Sequence, residues 1–205
     1  MENIAAVIFD LGKVLLDWNP AYFYAAHFPD DSAGLERFLT AIVTPAWIAE
    51  MDAGKPASTA MAELSARHPD HAHLIGLWQT GWPHMLRGEI GGTVDVLAEL
   101  RARGLRLYSL TNFSVETYPV ACARFPFLDW FEHAVVSGEV GLVKPDRRIF
   151  ELAIARCRIE PGRSVFIDDM PANVAAAKAC GLNALQFTTP SALRASLREL
   201  GLLGG

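Results

Sequence analysis

Two apolar rhythms run along this chain. The first is a short unbroken run: Ala5-Ala6-Val7-Ile8-Phe9 leads straight into Asp10, and Leu11-Gly12 follow. A run of that length with branched residues predicts a strand buried on both faces, as in the middle of a parallel sheet. The pattern returns at residues 105–110, which lead into Thr111-Asn112, at residues 133–137, and at residues 164–167, which lead into Asp168-Asp169. Residues 184–187 predict a fifth strand. The second rhythm is helical spacing, at residues 93–103, 114–123, 146–157, 172–180 and 191–200, with Thr93 as an N-cap and Gly104 and Gly181 as helix stops. Strands alternating with helices predict an α/β fold, a Rossmann-like parallel sheet of about five strands joined by right-handed crossovers.

One stretch breaks the alternation. Residues 13–20 read as an apolar flap followed by turn residues, and from Pro20 to about Pro83 no strand is evident. Residues 20–28, 32–43, 45–51, 58–67 and 70–82 carry helical spacing, separated by Pro, Gly or Asp. The expected division is a core of residues 1–16 and 89–205 with an all-helical insertion, residues 17–88. Its aromatics Phe38, Trp47, Trp78 and Trp82 are expected to form the insertion's own core.

Composition narrows the class. With 205 residues, 51% hydrophobic and 20% charged, the chain can bury a sizeable core, and disorder is not expected. The net charge is −5 and no stripe of Lys or Arg occurs, which argues against nucleic acid or an anionic membrane as a partner. Cys122, Cys157 and Cys180 are scattered and lack CxxC spacing, as for free thiols in a reducing compartment. The opening Met1-Glu2 lacks the basic region of a secretory signal, and no segment has the length of a membrane span. A soluble cytoplasmic protein, monomer or homodimer, is the expectation.

The ends of the predicted strands hold the chemistry. In a parallel sheet Asp10, Thr111-Asn112, Lys144 and Asp168-Asp169 open onto one edge, where such sheets bind ligands. Taken singly, Asp10 reads equally as a turn or cap residue and Lys144 as a surface lysine before Pro145. Taken together, carboxylates that face one another need a cation among them, and hard oxygen ligands suit Mg²⁺. A hydroxyl and an ammonium at the same edge suit phosphate oxygens. The set reads as a metal-assisted phosphoryl site with a carboxylate nucleophile.

With these segments in order, the sequence resembles the haloacid dehalogenase-like superfamily over essentially its whole length. The four motifs are Phe9-Asp10-Leu11-Gly12-Lys13-Val14, Leu110-Thr111-Asn112, Lys144-Pro145-Asp146 and Phe166-Ile167-Asp168-Asp169. The helical insertion sits where that family carries its first type of cap. The resemblance implies that Asp10 is the nucleophile, forming an aspartyl-phosphate, and that Asp10, the Gly12 carbonyl, Asp168 and Asp169 hold Mg²⁺. It further implies that Thr111 and the backbone around Asn112 bind the phosphoryl oxygens and that Lys144 neutralises charge on nucleophile and substrate. The implied activity is hydrolysis of a small phosphorylated metabolite, in some similar bacterial proteins a sugar phosphate.

Gly12 departs from the family's usual pattern, in which an aspartate two residues after the nucleophile serves as general acid and base. Such a group contributes typically ~10²–10⁴-fold. Either the substrate has a good leaving group or a side chain of the insertion reaches in, with Glu50, Asp52 and His27 as candidates. Two alternatives stay open: a 2-haloacid dehalogenase, which needs no metal, and a weakly catalytic protein that binds a phosphorylated ligand. Lys13 could steer an anionic substrate, Trp18 could line the entrance, and Asn173 is placed to brace Asp168-Asp169. His68, His71 and His73 have poor spacing for one helix face, so a metal site there is not expected.

Overall fold

A computed structural model describes residues 4–204. In chain order the strands are β1 (Ala6–Phe9), β2 (Leu16–Trp18), β3 (Leu86–Glu89), β4 (Arg106–Thr111), β5 (His133–Val136), β6 (Ser164–Asp168) and β7 (Asn183–Gln186). Five of them form one sheet in the order β5-β4-β1-β6-β7, and every pairing in it is parallel. β1 lies at the centre, and all four of its residues are buried. Its uninterrupted apolar run is what a strand covered by helices on both faces requires.

The strand period of two sorts side chains between two core layers. Val7 and Phe9 join Leu107, Val165 and Ile167 on one face, together with Val96, Leu97, Leu100, Leu193 and Leu197 from the helices Gly91–Ala102 and Pro190–Glu199. Ala6 and Ile8 join Tyr108, Leu110 and Phe166 on the other, under Ile149, Phe150, Ala153 and Cys157. Those last four lie at i, i+1, i+4 and i+8 of the helix Arg147–Cys157, one face of a helix, and Asp146 caps its start by accepting from Arg148 N–H at 2.9 Å.

The chain between β2 and β3 is helical throughout its ordered elements, including Ala21–Tyr24, Pro45–Asp52, Ala57–Arg67 and Trp78–Met85. Its ends are tied by a feature the apolar pattern did not reveal: β2 and β3 pair antiparallel as a two-stranded ribbon. The strands are only three and four residues long, too short for an alternation to register. One local expectation is corrected. Thr93 is buried inside the helix Gly91–Ala102, whose N-cap is Ile90. The glycine-rich segment after β5 is a helical turn, Ser137–Val140, stopped by Gly141 at φ 67°. Among the described residues no helix is long and apolar enough to cross a membrane.

Candidate active site

The carboxyl ends of β1, β4 and β6 deliver the predicted side chains to one place. Asp10 follows β1 directly, and its N–H continues the ladder by donating to the Ile167 carbonyl at 2.9 Å. Thr111 ends β4, and Asp168 ends β6 with Asp169 next. Lys144 arrives on the loop after the turn Ser137–Val140. Asn112 fixes that loop: its Nδ2 donates to the Lys144 carbonyl at 3.0 Å and its Oδ1 accepts from Lys144 N–H at 2.8 Å. Asn112 therefore holds the loop with both ends of its amide, and its side chain is not free for the phosphoryl group.

Lys144 Nζ lies 2.8 Å from Asp10 Oδ1 and 2.6 Å from Asp168 Oδ2, with side-chain exposures of 1%, 11% and 0%. A buried charge is tolerated only when paired and hydrogen-bonded. Here an ammonium between two carboxylates meets that demand. Asp168 accepts from Lys144 on Oδ2, from Met170 N–H on Oδ1 at 2.8 Å, and from Asn173 Nδ2 on both oxygens at 2.9 and 3.0 Å. A carboxylate offers about four acceptor positions, so Asp168 is fully engaged. Asp10 accepts from Leu11 N–H at 2.8 Å besides Lys144.

One ligand oxygen from each of Asp10, Asp168 and Asp169 lies within 4.8 Å of the others. These hard donors fit a small divalent cation such as Mg²⁺. Because Asp168 is saturated by protein donors, Asp10 and Asp169 are the two carboxylates better placed to ligate directly. Beside them the Thr111 hydroxyl is buried and meets no partner among the described residues, as expected of a group reserved for a ligand oxygen.

Electrostatics follow from burial and neighbours. Burial pushes the Asp10 carboxyl up to about 6, against the pull of the Lys144 ammonium. Burial also raises Asp169, helped by the charge on Asp168. For Lys144 burial opposes the charge, but Asp10 and Asp168 outweigh it and hold the ammonium above its usual value.

Of the three insertion residues considered for the missing acid, one faces the site. Asp52 ends the helix Pro45–Asp52, and its carboxylate accepts from Ser114 N–H. Burial, then the charge on Asp10, push it up to about 7, with Lys144 and the Ser114 N–H opposing. The Asp52 carbonyl accepts from Ser137 Oγ at 2.6 Å, and Ser137 Oγ accepts from Phe113 N–H at 2.9 Å. Two glycines allow this docking. A Cβ on Gly138 would stand 2.8 Å from the Phe113 carbonyl, and one on Gly54, itself at φ 99°, would stand 3.1 Å from the Gly138 carbonyl. Glu50 instead pairs with Lys55 at 2.8 Å, and His27 is exposed beside Phe23. The only potential metal cluster of three or more His, Cys, Asp or Glu among the described residues is that of Asp10, Asp168 and Asp169, so His68, His71 and His73 form none.

Sequence reasoning missed the clamp on the insertion. Glu116 accepts from Ala57 N–H and from Gln79 Nε2, both at 2.9 Å, and so ties two insertion helices to the loop after β4. Arg124 adds bonds to the Pro83 and Leu86 carbonyls at 3.0 and 2.7 Å. A lone Glu or Arg in a helical stretch gives no signal of such a distant partner.

The chain belongs to the haloacid dehalogenase-like hydrolase family, whose pattern it matches over residues 4–181. Among characterised proteins it is 27% identical over 209 aligned residues to a sesquiterpene phosphatase of Aspergillus oryzae, covering 95% of each chain. Its fold matches a family enzyme of Bacteroides thetaiotaomicron, crystallised with magnesium and inorganic phosphate, with a TM-score of 0.70, 21% identity and coverage of 91% and 96% of the two chains. It also matches a dehalogenase with a TM-score of 0.64 and 18% identity, over 91% of this chain and 86% of that one. The chain is thus a hydrolase of this family, and its fold is shared both with the magnesium- and phosphate-bound family enzyme and with a dehalogenase.

Proposed function

We propose that the protein is a Mg²⁺-dependent phosphatase of small phosphorylated metabolites that works through an aspartyl-phosphate on Asp10. The observation that carries this reading is the buried array of Asp10, Lys144 and Asp168 with Asp169 beside it, next to an unpartnered Thr111 hydroxyl. A dehalogenase makes a carbon ester and gains nothing from a tight carboxylate pair at this edge. The likeness over nearly full length to a phosphatase supports the same choice.

The residues proposed to hold the metal are Asp10, the Gly12 carbonyl and Asp169, with Asp168 steadying Lys144 and Asn173. Mg²⁺ bound there would offset the charge of the non-bridging phosphoryl oxygens. In the first step a carboxylate oxygen of Asp10 bonds to phosphorus, and the bond from phosphorus to the leaving oxygen breaks. Lys144 and Thr111 hold the phosphoryl oxygens, where positioning and charge compensation do most of the work. Asp52 takes the place of the aspartate absent at Gly12 and gives its proton to the departing oxygen. In the second step Asp52 accepts a proton from water, whose oxygen attacks phosphorus, releasing phosphate and restoring Asp10. Residues 17–88 act as the cap that closes over this chemistry and excludes bulk water.

The test is turnover of p-nitrophenyl phosphate with and without Mg²⁺, beside halide release from 2-chloropropionate. Phosphate release that depends on Mg²⁺, with no halide release, is the expected result. Halide release without phosphatase activity would overturn the reading.

A further inference from the structure

Beside the site lies an open cavity of about 680 Å³, a volume that includes the solvent at its mouth. Gly12, Asp52 and Asn112 line one end of it, so it is continuous with the phosphoryl site. Beyond them the wall is apolar. Leu16 and Trp18 come from β2, Met51, Trp78 and Trp82 from the insertion, and Phe113 from the core. Trp82 and Phe113 meet edge to face at 5.4 Å, so insertion and core close the chamber together.

Of the polar groups on its wall, the Trp18 indole Nε1 has no partner among the described residues, and most of the others are engaged. Gln79 donates to Glu116, Asn112 is bonded twice to the Lys144 backbone, Ser114 Oγ accepts from Glu116 N–H, and Thr117 Oγ1 donates to the Ser114 carbonyl. Asp52 is the one ionisable side chain among the described residues that line the chamber. A sugar's several hydroxyls, or a second carboxylate or phosphate on the substrate, would lose water there and find only the Trp18 indole N–H and Asp52 to meet them, and each group left unpaired costs roughly tenfold or more in affinity.

Resting on the phosphatase reading, we propose that the substrate is a phosphate monoester of an apolar alcohol, its hydrocarbon part filling this chamber and its phosphate reaching Asp10. An alkoxide is a poor leaving group, which is why a proton donor at the junction of the two compartments, Asp52, matters for this class. The assignment departs from the sugar phosphate that the sequence suggested.

The experiment is kcat/KM with Mg²⁺ for n-alkyl phosphates from ethyl to octyl, beside glucose 6-phosphate and p-nitrophenyl phosphate. Each added methylene is expected to raise kcat/KM by up to about fourfold until the chamber fills. Glucose 6-phosphate is expected to fall below ethyl phosphate. An Ala57→Leu variant, which adds bulk to the wall, should bring the plateau to shorter chains. A binding arm needs no turnover: 1-octanol titrated into metal-free protein should change the tryptophan fluorescence, since Trp18, Trp78 and Trp82 line the chamber. Turnover of all the esters with a flat slope, a preference for the sugar phosphate, or no response to 1-octanol would overturn the substrate assignment and leave the phosphatase reading standing. A response to 1-octanol with no ester hydrolysed, p-nitrophenyl phosphate included, would overturn the phosphatase reading and with it the substrate assignment, leaving only a chamber that binds apolar alcohols.

Discussion

At the carboxyl edge of the sheet Asp10, Lys144, Asp168 and Asp169 crowd into one array, with Lys144 and Asp168 fully desolvated. A few residues away, under the helical insertion, Leu16, Trp78, Trp82 and Phe113 form a wall that carries one carboxylate, Asp52. The first region is costly to bury, and its charges persist only because each is countered or hydrogen-bonded. The second buries apolar surface, which is favourable whatever the exact residue. Chemistry therefore sits on a rigid edge where few substitutions are possible, and selectivity sits in a wall where many are.

Predictions at the charged edge are the largest. Asp10→Asn removes the nucleophile with little change of shape, and phosphate release is expected to fall on the order of 10⁴–10⁶-fold, with an unchanged circular dichroism spectrum. Turnover within tenfold of wild type would take Asp10 out of its role. Lys144→Met leaves Asp10 and Asp168 buried without their cation. It should cost about 3–5 kcal/mol of stability at pH 7.5 in urea unfolding, part of it regained at pH 5 as Asp10 takes up a proton.

Asp52, at the boundary, should matter less and in a substrate-dependent way. Asp52→Asn is expected to slow alkyl phosphate hydrolysis about 10²-fold and p-nitrophenyl phosphate far less, because only the alkoxide needs a proton on leaving. The wild-type loss of kcat/KM as pH rises through about 7 should vanish in the variant. A Cβ at Gly12 meets nothing within 4 Å, so adding Gly12→Asp to that variant has room to restore activity. Equal losses on both substrates would contradict the assignment.

The same groups set stability in chelator-treated protein. Asp10 and Asp52 are raised from 3.8 to about 6 and about 7. Between pH 4 and 7 the folded chain holds protons that the unfolded chain has released, so stability falls as pH rises through this window. Asp146, held near 2 by Arg148, acts in the opposite sense, but only below pH 4. The Tm should be at least ~4 °C higher at pH 5 than at pH 7.5, and added Mg²⁺ should narrow the gap. The smallest effect is expected for Glu116→Ala, which frees Ala57 and Gln79 of the insertion and should raise KM about three- to tenfold with kcat nearly unchanged.

The same contrast explains how much of the fold and of the site is legible in the amino-acid sequence. The parallel sheet was legible because β1, β4 and β6 are apolar runs that end in polar residues. The acidic edge was legible because Asp10 and Asp168-Asp169 fall at those ends, and Lys144 follows the remaining predicted strand, β5, by a short segment. The ribbon of β2 and β3 was not, because three or four residues carry no period. Asp52 could be named only as one of three candidates, since nothing local separates it from Glu50. What selects it is a contact with Ser137 across 85 positions of sequence. The chamber was hidden for a similar reason: Trp78 and Trp82 are buried as core residues should be, and their second role as a wall depends on β2 and Phe113 meeting them.

The central claim is that Asp10 carries the phosphoryl group in passage. Rapid acid quenching during turnover of p-nitrophenyl phosphate, followed by peptide mass mapping, tests it directly. The account predicts the mass of one phosphoryl group on the peptide that contains Asp10, absent from Asp10→Asn protein. A phosphoryl group trapped on any other residue, or turnover at full rate with none trapped on Asp10, would contradict it.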